Sequence, residues 1–271
     1  MNNFFLILLL CFHLCKSYDL NNKIVYSTIP KSGTHLLRKC LTLMTGSAGL
    51  WIGMKNGKHI DENNLIIIEH YLNKLQPTSF LITHLPYSVE IEKLLRNYNT
   101  KFIFMYRDLR DQLVSYVHFL QRDDTPENVK AAISGMSFDQ ILESLIIDNR
   151  IYDVEWRGQK NVKEFYDSFI PWLQSEFCHF VRFENLIGPK GGGSLLSQYT
   201  TIESIAKYIG IELNSQQIEF IMTNLFGSSF SFHKGQIGSW RKYFTEKHKK
   251  LFKDVAGQLL IELGYETDNT W

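Results

Sequence analysis

The sequence predicts an α/β fold with a central parallel sheet, on three observations. Apolar runs at 24–28, 80–83 and 101–106 have the length and the β-branched or aromatic content of buried strands. The first and third lead directly into segments of helical period at 34–44 and 109–121. Strands that alternate with helices pair in parallel, because each helix returns the chain to the starting edge of the sheet.

The first strand, IVYST, breaks at the turn Pro30-Lys31-Ser32-Gly33-Thr34. The second, FLIT, runs into His84-Leu85-Pro86, and the third, KFIFMY, stops at Arg107. After the helix at 109–121 comes a polar stretch, RDDTPEN, then helical patterns at 137–147 and 161–169 and an extended run at 178–183. GPKGGGS at 188–194 reads as a flexible loop. Helices at 201–209, 215–225 and 246–262 complete the chain, and in the last of them Leu251, Val255, Leu259 and Leu263 are expected to form the buried face. The 271 residues, 44% hydrophobic and 14% aromatic, suffice for a sizeable core and read as one globular domain over 18–271. A formal net charge of +1 gives no electrostatic case for nucleic acid.

The turn after the first strand has the composition of an anion-binding loop. Val25 and Ile29 pack the strand, Pro30 ends it, Gly33 permits close backbone approach and Thr34 is placed to cap the next helix. Unpaired N–H groups at that helix start, with Lys31 beside them, suit a phosphate or sulfate. The order differs from GxxxxGK[ST], since Lys31 precedes the only glycine, and an ATP or GTP reading loses ground. An ordinary strand-to-helix junction stays open on this segment alone.

Two further segments bear on the choice. Arg107 at a strand end and Ser115 two turns into the next helix place a guanidinium and a hydroxyl for one anionic group. The other reading is helix-face charge, with Asp108 as cap and Asp111 paired to arginine. Late in the chain, FSFHKGQIGSWRKYFT joins His233, Lys234, Gly235, Gly238 and Trp240 in a glycine-punctuated basic loop able to fold over a polyanion.

In order and content these segments resemble the sulfotransferases that use 3′-phosphoadenosine 5′-phosphosulfate. PKSGT is similar to the family's 5′-phosphosulfate loop. Arg107 and Ser115 keep the eight-residue separation of its 3′-phosphate pair, and HKGQIGSWRKYFT resembles its RKGxxGxWKxxFT. The resemblance runs from Ile24 to the C terminus and implies a three-layer sandwich with a central parallel sheet, the P-loop-NTPase-like sulfotransferase fold. It implies His84, in THLP, as general base and Lys31 as the group stabilising the leaving bisphosphate. It also implies Lys31, Ser32, Gly33, Thr34, His35, Arg107, Ser115, Phe183, His233, Lys234 and Gly235 as donor-binding residues. No metal-ligand motif appears, and charge dispersal by fixed donors requires none. The chain departs from the family pattern at His233 for arginine, Leu36 for an adenine-stacking tryptophan, Ile82 for lysine and Phe183 for tyrosine. A histidine carries charge only when protonated, so donor affinity is expected to fall as pH rises.

The acceptor is expected to be a small-molecule or glycan hydroxyl, or an amine, between walls from 45–65 and 122–136. Trp51, Ile52 and Met54, with Tyr87 near His84, suit a flat or apolar molecule, although ordinary packing accounts for the same residues. The apolar block FFLILLLCFHLC at 4–15 is too short for a membrane span. Residues 1–17 read as a secretory signal, a weak anchor or a buried helix. Cleavage would place the enzyme in a lumen or outside the cell, and retention would leave it cytoplasmic. Cys40 and Cys178 are then one disulfide or two buried thiols. The alternatives are a nucleotide-binding module without catalysis and a nucleotide kinase of related architecture.

Overall fold

The computed structural model describes residues 23–52, 54–55, 58–59, 65–77, 79–148, 161–227 and 235–271. In chain order the first elements are β1 (Lys23–Thr28), α1 (Thr34–Thr45), β2 (Leu50–Trp51), β3 (Met54–Lys55), β4 (Lys58–His59), α2 (Leu65–Lys74), β5 (Phe80–Thr83), α3 (Val89–Asn97) and β6 (Thr100–Tyr106). Then follow α4 (Leu109–Leu120), α5 (Glu127–Ala132), α6 (Phe138–Ile147), α7 (Val162–Asp167), β7 (Cys178–Arg182), α8 (Phe183–Leu186), α9 (Leu195–Ile209), α10 (Ser215–Leu225) and α11 (Glu246–Glu262). The residues fall into two units. One comprises the described residues up to Tyr106 together with Trp172–Gln236, the other Arg107–Pro171 with Ile237–Trp271.

The first unit carries a five-stranded sheet of order β2-β5-β1-β6-β7, parallel throughout as expected. Val25, Tyr26, Phe80, Leu81, Phe102, Ile103 and Phe104 are wholly buried, which is why these strands read as continuous apolar runs rather than alternating ones. Helices flank the sheet, α1 packing on β5, α3 on β6 and α9 on β7. Because every strand runs the same way, Thr28, Thr83 and Tyr106 end at one edge. The register sets Ser27 beside Thr83, Thr28 beside Met105 and Tyr106 beside Arg182. The edge strand β2 was not expected: two residues carry no period to read, and its pairing with Leu81 and Ile82 fixes it. Helices α2 and α3 were likewise not expected.

Two expectations in this unit are corrected. GPKGGGS is a tied turn: Gly191 and Gly193 N–H both donate to the Gly188 carbonyl, and Gly191 is buried where a Cβ would meet the Gly235 carbonyl at 2.7 Å. The helix expected from 201 starts at Leu195, capped by the Ser194 hydroxyl on the Ser197 N–H.

In the second unit α4 is the buried centre. The Tyr166 hydroxyl proton is shared between Gln112 Oε1 at 2.6 Å and the Leu109 carbonyl at 3.0 Å. Part of the polar stretch RDDTPEN is helical, since α5 starts at Glu127 after Pro126. The buried face of α11 is also corrected: His248, Phe252, Ala256, Leu259 and Leu260 are buried, and of the four residues expected only Leu259 is. A strict four-residue repeat winds about 40° per step around a helix, so a straight face must alternate steps of three and four.

Candidate active site

The loop after β1 has the backbone of an anion cradle. Ile29 N–H still donates to the Met105 carbonyl, and Ser32 N–H closes a turn on the Ile29 carbonyl at 3.0 Å. That turn holds Lys31 at φ 69°, a left-handed conformation uncommon outside glycine, and Gly33 follows at φ 107°. A Cβ at Gly33 would lie 2.7 Å from Phe183 Cδ2, so the buried Phe183 ring backs the loop at its narrowest point. Gly33, not Thr34, is the N-cap of α1 and offers no side chain to the first N–H groups. The Thr34 hydroxyl turns inward to Thr28 Oγ1 at 2.7 Å, which removes it from the capping role expected of it. Ser32 is fully buried, and its Oγ has no hydrogen-bond partner among the described residues. An uncapped helix start and an orphaned hydroxyl together fit a phosphate or sulfate oxygen. Tyr26 donates its hydroxyl to the Thr34 carbonyl at 3.1 Å, and burial raises its pKa well above the usual phenol value, which keeps it a donor.

The THLP segment is fastened to the same strand. Thr83 Oγ1 donates to the Tyr26 carbonyl, and the Leu85 carbonyl accepts from Ser27 Oγ and from Trp172 Nε1. Between them, His84 Nδ1 lies 2.8 Å from the Thr28 carbonyl and 3.1 Å from Thr28 Oγ1. A carbonyl only accepts, so Nδ1 carries the proton and the neutral ring has its lone pair on Nε2. Thr28 therefore joins His84 to Thr34 of the anion loop. Trp51 presents an edge contact to His84, with ring centres 5.6 Å apart, and stacks on His35 at 6.0 Å. Tyr87 packs edge-on against Trp172 at 5.0 Å, while Ile52 is wholly buried and serves packing. The side chain of Met54 lies outside the described residues.

In the second unit Arg107 immediately follows β6 and is buried, with its NH2 nitrogen 3.6 Å from Asp111 Oδ2. Ser115 is half-buried on α4. Asp108 caps α4 by accepting from Arg110 N–H and also binds the Arg110 guanidinium through both carboxylate oxygens. Asp111 accepts from Gly238 N–H at 2.7 Å, Ser239 Oγ at 2.9 Å and Trp240 N–H at 2.8 Å. Helix-face pairing of Asp108 and Asp111 is thus present, and Asp111 has a further task the sequence did not disclose: it ties the glycine-punctuated loop to α4.

Gly235 belongs to the first unit, its carbonyl against Gly191. His233, Lys234 and residues 1–17 lie outside the described residues. The bond from Thr28 to His84, the tie from Asp111 to the 238–240 segment and the contact of Arg110 with Trp271 were not expected from the sequence. Thr28 ends the first strand, IVYST, and nothing in a strand-end threonine announces a bond to a histidine 56 residues away. Cys40 and Cys178 are free, buried thiols, and burial pushes Cys40 up to about 12. Among the described residues no cluster of His, Cys, Asp and Glu could hold a metal ion, and no helix is long and apolar enough to cross a membrane.

The family profile described as Sulfotransferase domain matches residues 21–264. Mouse Sulfotransferase 6B1 is 26% identical over 191 residues, 64% of this chain and 55% of that protein. Human Sulfotransferase 4A1 is 24% identical over 254 residues, 85% of this chain and 79% of that one. Among solved structures, mouse sulfotransferase SULT7A1 complexed with PAP superposes with a TM-score of 0.63 at 18% identity, covering 96% of this chain and 91% of that chain. Retinol dehydratase in complex with androsterone and inactive cofactor PAP gives a TM-score of 0.57 at 16% identity, over 90% and 82%. These two likenesses establish the fold, and the profile, spanning nearly the whole chain, establishes the family: the chain belongs to the sulfotransferases, enzymes that transfer sulfuryl groups.

Proposed function

We propose that this chain transfers a sulfuryl group from 3′-phosphoadenosine 5′-phosphosulfate to a hydroxyl or amine of a small-molecule acceptor. The observation that carries the reading is the Thr28 junction, where one residue bonds both His84 and the first helical residue of the anion loop. A module that only bound nucleotide would have no need of a histidine of defined tautomer beside that loop.

Each residue has a definite task in this scheme. The backbone N–H groups of Ser32, Gly33, Thr34 and His35, with the Ser32 hydroxyl, hold the 5′-phosphosulfate. Arg107, Ser115 and the 233–235 segment hold the 3′-phosphate. Phe183 backs the loop through Gly33 and meets the adenine side. His84 takes the acceptor proton at Nε2, while its Nδ1–H stays on the Thr28 carbonyl and steadies the imidazolium that forms. Lys31 donates to the bridging oxygen as negative charge gathers there. Trp51, packed against both His84 and His35, is the aromatic wall on which a flat acceptor lies. No step calls for a metal ion. The block at 4–15 decides where the acceptor is met: cleaved as a signal it places the enzyme in a lumen supplied with donor, retained it leaves the enzyme in the cytosol.

The test is sulfuryl transfer from the labelled donor to a panel of phenols, aliphatic alcohols and amines. Wild-type protein should sulfate at least one class, and His84→Ala should lose about 10² to 10⁴ in kcat, the usual worth of a general base. Donor binding in that variant should be intact. Wild-type activity that His84→Ala leaves unchanged would remove the histidine from the chemistry.

A further inference from the structure

We propose that Trp271 is a positioning residue for recognition of the donor's 3′-phosphate, acting through Arg110 and Asp111. The inference rests on the reading above, in which Arg107 meets that phosphate.

Arg110 is a buried cation, 2% exposed, held on every side within the second unit. Its guanidinium carbon lies 4.0 Å from the ring centre of Trp240 and 4.4 Å from that of Trp271. The two indoles stand at 85° to each other with centres 5.4 Å apart, so they form a corner around the cation. Asp108 grips the guanidinium through both oxygens and Glu266 accepts from its NH1 nitrogen. A desolvated cation against aromatic faces gains more than an exposed one, and here two carboxylates also balance its charge.

The same residues determine where Arg107 sits. Asp108 and Asp111 flank Arg110, and Asp111 is the acid paired with Arg107. The orientation of the Asp111 carboxylate is set by Gly238, Ser239 and Trp240, two of them through backbone N–H groups. Trp240 is thus held at its backbone by Asp111 and at its ring by Arg110 and Trp271. Without the Trp271 ring the corner opens, Trp240 and Arg110 gain freedom, and Asp111 no longer fixes the Arg107 guanidinium. Trp271 is far along the sequence from every motif residue, and only this chain of contacts gives it a role.

The experiment compares binding of 3′-phosphoadenosine 5′-phosphate and of adenosine 5′-monophosphate, which lacks the 3′-phosphate, to the full chain. Wild type, Trp271→Ala, Trp271→Phe and Glu266→Gln are titrated. Wild type should prefer the bisphosphate. Trp271→Ala should cut that preference by about tenfold while leaving monophosphate affinity within twofold, Trp271→Phe should retain most of it, and Glu266→Gln should move the same way as alanine. General loosening of the fold would weaken both nucleotides alike; that outcome, or an unchanged preference in folded Trp271→Ala and Glu266→Gln, overturns the inference and leaves the sulfotransferase reading standing. If Trp271→Ala does not fold, Glu266→Gln decides by the same ratio. Wild type that binds neither nucleotide, or both equally, overturns the reading and this inference with it.

Discussion

At Thr28 a carbonyl and a hydroxyl both meet His84 Nδ1, and the hydroxyl also meets Thr34 Oγ1. Removing the hydroxyl while keeping the shape separates these tasks. Thr28→Val retains the carbonyl and hence the His84 tautomer, but strands the buried Thr34 hydroxyl, at a cost of about 1–3 kcal/mol. The expected outcome is a lower denaturant midpoint with an unchanged slope and residual transfer activity; loss of all activity without loss of stability would mean that the hydroxyl takes part in the chemistry. At this scale the sequence was legible where residue type limits geometry. Pro30 and Gly33 announced the turn, because one lacks an N–H and the other tolerates φ 107°. Lys31 at φ 69° was not legible, since nothing in a lysine advertises the left-handed region. Threonine favours a cap position, and at Thr34 a tertiary partner, Thr28, overrides that local preference.

Buried strands and most helices with a long periodic face were read within one or two residues, as with β1, β5, α4 and α10, whereas α9 starts six residues before the expected position. Elements of two to ten residues between them, β2, α2, α3 and α5, were not, because their existence depends on neighbours rather than on their own period. The face of α11 gives a quantitative check. Phe252 is wholly buried, whereas Leu251 and Leu263 are only part-buried. Phe252→Ala should destabilise by about 3–5 kcal/mol and Leu263→Ala by less than half as much, measured by denaturant unfolding. Equal losses would restore the four-residue face read from the sequence.

For the molecule as a whole, the fold class and the family followed from three ordered motifs, since a strand-turn-helix, an Arg–Ser spacing and a glycine-punctuated basic loop constrain one another more than any does alone. The supports behind them were illegible because they are long-range: His84 to Thr28, Asp111 to the 238–240 backbone, Arg110 to Trp271. The most direct test of the central claim is calorimetric titration of the full chain with 3′-phosphoadenosine 5′-phosphate, beside Lys31→Ala and Arg107→Ala. The account predicts saturable, magnesium-independent binding that each substitution weakens by about tenfold or more, the worth of a charge-assisted hydrogen bond. A folded wild type that ignores this nucleotide and binds ATP with magnesium would contradict it.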